Sequence, residues 1–100
     1  MRVKICGITN SRDALHAASC GADALGFVLD PGSPRFVDPD RARCIIAELP
    51  PLGTSVGLFV NEPPVRIGEI ADYCGLNSIQ LHGDEGPEQC SHPPYRVIKA

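Results

Sequence analysis

The chain has 100 residues, of which 43% are hydrophobic and 21% charged, with a formal net charge of −3. That length suits one domain or part of one, and the apolar fraction excludes wholesale disorder. The acidic balance and the lack of a basic block argue against a nucleic-acid surface, and no apolar stretch approaches the length of a membrane span. Met1-Arg2-Val3-Lys4-Ile5 runs directly into a strand pattern with no apolar leader, so the expected setting is the cytoplasm, away from membranes.

In chain order, Val3–Cys6 reads as a first strand, followed by the loop Gly7-Ile8-Thr9-Asn10. Asn10 or Ser11 can cap a helix running to Cys20, which Gly21 ends. Ala24–Leu29 is a second strand, and a Pro-rich loop from Asp30 to Val37 follows. Asp38 then caps a second helix with Pro39 in its first turn. Its apolar stripe is Ala42, Ile45, Ile46 and Leu49, and Pro50-Pro51 stops it. Ser55–Val60 is the third strand. The third helix starts near Pro63-Pro64, carries Ile67, Ile70, Ala71 and Cys74 on one face, and stops at Gly75. Ser78–Leu81 is the fourth strand, Pro87–Ser91 a short fourth helix, and Tyr95–Lys99 a fifth strand.

Short apolar strands alternating with amphipathic helices define an α/β chain with a parallel sheet and right-handed crossovers. Residues 1–100 read as one unit with no second domain, and the units repeat in architecture but not in sequence. Two arrangements fit: an open doubly wound sheet, or the first half of a TIM barrel, meaning about four βα units plus strand five. Neither a G-x-G-x-x-G nor a G-x-x-x-x-G-K-[ST] loop occurs, so a dinucleotide or nucleotide cofactor has no fingerprint here.

Cysteines stand at 6, 20, 44, 74 and 90, an odd number with no C-x-x-C, which disfavours a disulfide framework, a zinc site or a thiol redox centre. His16, His82 and His92 add no metal-ligand spacing, so no metal is expected. Cys20, Cys44 and Cys74 are expected to pack on helix stripes or ends, and Cys90 to lie in the fourth helix. His16 and His92 are expected at the surface. Asp84-Glu85 resembles a carboxylate pair but is explained more cheaply as charge at a helix N-terminus.

Five segments in register are similar to phosphoribosylanthranilate isomerase of tryptophan biosynthesis. They are Lys4-Ile5-Cys6-Gly7-Ile8-Thr9, Gly26-Phe27-Val28 with Ser33-Pro34-Arg35-Phe36-Val37, Val56–Asn61, Ile79–Glu85 and Val97–Ala100. The family is a (β/α)8 barrel of about 200 residues, near the small end for that fold. The resemblance therefore implies the N-terminal half of such a barrel. It implies an Amadori rearrangement of phosphoribosylanthranilate, a small-molecule substrate, with no cofactor or metal. A general acid helps to open the sugar ring, a general base removes the proton from carbon 2, and an aminoketone forms.

By the same resemblance, Cys6 matches the general base. Strand alternation independently puts Lys4 and Cys6 on one face and Val3 and Ile5 on the helix-facing side, with Cys6 at the carboxyl-terminal end of strand one. The alternative is a buried, inert cysteine. Arg35 matches the arginine that grips the anthranilate carboxylate; otherwise it is a solvated loop residue or a partner of Asp38. His82 matches a polar substrate contact, against a strand-end histidine satisfied by backbone, and Gln80 shares its face as a further substrate-binding candidate. Asn61 follows strand three on the same side, or caps the third helix.

The family's general acid lies on strand six, and its phosphate site in the loops after strands seven and eight. No residue here matches either. The isolated chain is therefore expected to be inactive and to self-associate through bare sheet edges. A non-enzymatic half-barrel assembly module, or another phosphosugar barrel enzyme, are the alternatives.

Overall fold

The computed structural model describes residues 3–49, 53–83 and 95–99. Five strands form one parallel sheet in the order β1-β2-β3-β4-β5: β1 (Lys4–Ile5), β2 (Ala24–Val28), β3 (Thr54–Phe59), β4 (Ser78–Leu81) and β5 (Arg96–Lys99). Helices α1 (Ser11–Ser19), α2 (Pro39–Ala47) and α3 (Pro64–Cys74) form the first three crossovers. Strand order that follows chain order, with no reversal, is the arrangement of consecutive barrel units. The doubly wound alternative has a reversal point and is set aside. The expected helix over Pro87–Ser91, with Asp84, Glu85, Cys90 and His92, lies outside the described residues.

The helices begin where their caps dictate. The Asn10 side chain accepts from the Asp13 N–H at 2.8 Å, and Asp38 accepts from the Arg41 N–H at 2.8 Å with Pro39 opening the helix. Helix α3 has Pro63 at its cap without a side-chain bond, and stops at Gly75, whose φ of 79° is left-handed.

Alternation along the strands sorts the molecule into two faces. Leu25, Phe27 and Leu29, then Phe59, then Ile79 and Leu81 face the helices, and pack against Ala14, Ala17, Ala42, Ile45, Ile67, Ile70, Ala71 and Cys74 in one cluster. Each large apolar side chain fully buried here contributes about 1.5–3 kcal/mol. Gly57 lies on this face because a Cβ would overlap the Leu76 side chain and stand 3.1 Å from Phe59. Val28 and Val56 are buried outside that cluster, on the opposite face.

The first strand is shorter than Val3–Cys6. At its start the Val3 carbonyl accepts from both Asp23 and Ala24 N–H, and past its end Gly7 and Ile8 N–H both turn onto the Gly26 carbonyl, so regular pairing stops. The connectors before β2 and β4 share a local pattern, one exception to the expectation that the units do not repeat in sequence. Cys20-Gly21-Ala22-Asp23 and Cys74-Gly75-Leu76-Asn77 each place a glycine of positive φ, then an apolar residue, then an Asx. In each, the Asx side chain accepts the N–H at the head of the preceding strand (Asp23 from Val3 at 2.7 Å, Asn77 from Ser55 at 2.9 Å), and its own N–H donates back to that residue's carbonyl.

The cysteines divide. Cys74 is buried as expected, its thiol donating to the Pro39 carbonyl at 3.3 Å. Cys20 and Cys44 are exposed, which corrects the packing expectation. Cys44 precedes the buried Ile45 by one residue and so turns about 100° off the stripe, while Cys20 caps α1 with its sulfur 3.7 Å from His16 Nε2. His16 is at the surface, as expected. Among the described residues, no helix is long and apolar enough to cross a membrane.

Burial, reinforced by the Asp40 carboxylate, pushes the Cys74 thiol up from 9.0 to about 11. The folded state thus favours the neutral thiol. Its contribution to stability is complete below about pH 9 and is lost as the pH rises through about 11. Urea unfolding across that window is expected to show a fall in stability that Cys74→Ala flattens; an equal fall in both proteins would refute the assignment.

Candidate active site

The face turned away from the helices carries Lys4 and Cys6 from β1 and its end, Gly26 and Val28 from β2, Val56 and Leu58 from β3, and Gln80 and His82 from β4 and its end. Strand spacing is about 4.8 Å, so β1 and β4 would be about 14 Å apart in a flat sheet. Yet Lys4 Nζ donates to Gln80 Oε1. Side chains stand perpendicular to a sheet, so these tips meet because the sheet curls, and this face is concave.

Cys6 is exposed at the carboxyl-terminal end of β1, where barrel enzymes hold their reacting groups. Its place depends on a glycine in the next strand. A Cβ on Gly26 would lie 2.8 Å from the Cys6 sulfur and 3.2 Å from its Cα. A glycine inside a strand is the sequence signal for such a close approach.

After Cys6 the chain turns through Gly7, whose φ is 82°. The Gly7 and Ile8 N–H groups both donate to the Gly26 carbonyl, at 3.0 and 3.1 Å. The Arg35 side chain lies over the open face of Gly7: a Cβ there would stand 2.7 Å from Arg35 Cδ and 3.0 Å from Nη1. Arg35 is exposed. Its loop is shaped by Ser33, whose hydroxyl accepts from the Arg35 N–H at 3.2 Å, and by the Val28–Phe36 bridge. Among the described residues no ion pair joins Arg35 to Asp38, whose carboxylate caps α2. A second arginine reaches the same turn, with Arg41 Nε donating to the Thr9 carbonyl at 2.8 Å.

His82 is exposed just beyond β4, and its N–H donates to the Phe59 carbonyl at 3.0 Å. The next residue, Gly83, abuts Asn61: a Cβ would lie 2.7 Å from Asn61 Cγ. Asn61 has a φ of 50° and belongs to this edge. Its alternative reading as the cap of α3 is corrected, since Pro63 takes that position.

The four candidates thus fall into neighbouring groups on one edge and face. Gly7 joins Cys6 to Arg35, the lysine below Cys6 reaches Gln80, and His82 stands beside Asn61 and Gly83. Arg35 and Arg41 beside the Cys6 turn, with Lys4 on the face below it, give this region cationic character suited to retaining an anionic ligand. Among the described residues no group of three or more His, Cys, Asp or Glu side chains is placed to hold a metal ion.

Residues 3–100 match the family model for N-(5'-phosphoribosyl)anthranilate (PRA) isomerase. Over 100 residues the chain is 56% identical to the N-(5'-phosphoribosyl)anthranilate isomerase of Pelobacter propionicus and 57% identical to that of Geobacter sulfurreducens. Each match covers all of this chain and 48% or 49% of the relative. The chain therefore spans about half the length of the curated relatives it matches. The crystal structure of phosphoribosyl anthranilate isomerase from Thermotoga maritima superposes with a TM-score of 0.97 at 51% identity, over 99% of this chain and 49% of that one. The isomerase in complex with reduced 1-(o-carboxyphenylamino)-1-deoxyribulose 5-phosphate also gives 0.97, and the Thermus thermophilus structure 0.95 at 48% identity. These neighbours set the five-stranded sheet as half of a TIM barrel, and the chain belongs to the N-(5'-phosphoribosyl)anthranilate isomerase family.

Proposed function

We propose that residues 1–100 supply the base-bearing half of a phosphoribosylanthranilate isomerase acting in tryptophan biosynthesis in the cytoplasm. The observation that carries this is the junction at Gly7, where the cysteine matching the family's base and the arginine matching its carboxylate grip meet in a chain that matches the family throughout. In this reading the Cys6 thiolate takes the proton from sugar carbon 2 after the ring opens. Arg35 holds the anthranilate carboxylate, and His82 contacts the substrate. Gln80, whose Oε1 is engaged by Lys4, offers its amide N–H groups. The rearrangement moves protons within one molecule, so it consumes no cofactor. The general acid and the phosphate loops belong to the half of the family's barrel that these residues do not match.

The 1–100 chain is therefore expected to give no turnover alone, and to gain it when joined to strands six to eight of the Thermotoga maritima relative. Loss of substrate fluorescence measures this. Turnover by residues 1–100 alone, abolished by Cys6→Ala, overturns the assignment of a missing acid. In the joined barrel, Cys6→Ala is expected to lower kcat by about 10²–10⁴-fold, the usual worth of a general base, while Arg35→Ala acts chiefly on KM. A Cys6→Ala barrel with full kcat removes Cys6 from the base role.

The edges β1 and β5 and the concave face, where Ile98 is 44% exposed, favour a further property of the isolated chain. Bare parallel edges and uncovered apolar side chains promote association. Light scattering of residues 1–100 is expected to give a mass above 10.7 kDa that rises with concentration; a monomer melting in one sharp transition would contradict it.

A further inference from the structure

The turn that joins Cys6 to Arg35 is held from outside the strands by one side chain that no site residue explains. Arg41 stands in the first turn of α2, where its own N–H is fixed on the Asp38 carboxylate at 2.8 Å. Its Nε then crosses to the Thr9 carbonyl, 32 residues away in sequence, at 2.8 Å. Thr9 is two residues beyond Gly7 and three beyond Cys6. On its other side the same turn is held through Gly7 and Ile8 to the Gly26 carbonyl. The loop carrying Cys6 is therefore clamped between β2 and the first turn of α2. The loop carrying Arg35 runs into that same helix, through Phe36 and Val37 to the Asp38 cap. Thr9, Asn10, Phe36, Val37, Asp38 and Arg41 line a cleft of about 340 Å³ where the two loops meet.

We infer that Arg41 is a positioning residue for the isomerisation. It fixes the turn after β1 against α2 and so sets the separation between the carbon-2 base Cys6 and the carboxylate grip Arg35. It touches no reacting atom and acts only through the Thr9 carbonyl. This inference rests on the isomerase reading and deepens it, because a substrate gripped at one end by Arg35 presents its carbon-2 proton to Cys6 only at the correct spacing. Arg41 is anchored at two points, its backbone N–H on Asp38 and its Nε on the Thr9 carbonyl, and so ties the turn to the head of α2.

The test uses the joined barrel and compares Arg41→Ala, Arg41→Lys and Arg43→Ala. Arg43 sits two residues on in the same helix and stacks on Tyr73, 4.6 Å from the ring centre, away from the Thr9 turn. Arg41→Ala is expected to lower kcat by about 10²-fold, the cost of a misplacement of about 1 Å in a reacting pair. Arg41→Lys is expected to recover part of that loss, and Arg43→Ala to leave kcat unchanged. A second readout needs no turnover. In the joined barrel, the iodoacetamide alkylation rate of Cys6 relative to exposed Cys44 is expected to change in Arg41→Ala and to return toward the starting ratio in Arg41→Lys. An unchanged kcat in Arg41→Ala, or an equal fall in Arg43→Ala, overturns the inference. If Arg41→Ala fails to fold, Arg41→Met, which keeps an apolar stem and has no donor for the Thr9 carbonyl, replaces it, and an unaltered kcat and alkylation ratio in that variant overturns the inference. Full activity in Cys6→Ala would instead strike the isomerase reading beneath it, so the two failures are distinguishable.

Discussion

Side chains alternate along a parallel strand, and the three described crossover helices lie on one side of the sheet. That single constraint divides the molecule. Most residues of one parity are apolar and pack under a helix, as Leu25, Phe27, Phe59, Ile79 and Leu81 do, while Ser55 on the same parity is buried with its hydroxyl bonded to the Gly75 carbonyl. The residues of the other parity are released from that duty and are free to carry chemistry. Lys4, Gln80 and His82 occupy those released positions with Cys6, and the curl of the sheet turns them toward one another. A flat sheet with the same sequence would keep Lys4 and Gln80 apart. Fold and candidate site are therefore one fact about parity and curvature.

Glycine does much of the fine placement. Gly26 leaves the space that the Cys6 sulfur fills, Gly7 lets the chain turn while Arg35 lies across it, and Gly83 admits Asn61. In each case the absence of a side chain on one loop or strand sets the position of a functional or edge residue on another. The candidate centre is a set of close approaches between neighbouring βα units, and an added methyl group at any of these three positions meets an occupied space.

Local signals were legible in the sequence, and relations between distant segments were not. Asp38 with Pro39, the stripe Ile67, Ile70, Ala71 and Cys74, and the stop at Gly75 each act within a few residues, so periodicity and capping chemistry find them. The face and end of the strand on which Cys6 lies followed from alternation alone. The exposure of Cys20 and Cys44 depends on which helix flank meets a neighbour, and a stripe pattern does not encode that for residues at its margin. The contacts of Arg35 with Gly7 and of Arg41 with Thr9 span loops brought together only by the sheet. For Asn61 the sequence left two readings open, the end of strand three on the site side and the cap of the third helix, and Pro63 takes the cap. The family resemblance supplied roles, whereas these contacts supplied the geometry in which such roles can be exercised.

The paired Asx clamps bear on how the chain assembles. Asp23 ties back to Val3 across 20 residues, and Asn77 to Ser55 across 22. Closing a loop costs entropy that grows only with the logarithm of its length, so the two closures differ by about 0.1 kcal/mol. Neither β-α-β unit has an entropic head start, and each can close on its own residues before the other exists. The long β2–β3 pairing, five residues in register, is the seam that joins the two units. Loop length therefore favours neither closure, and imposes no progress from one end of the chain to the other.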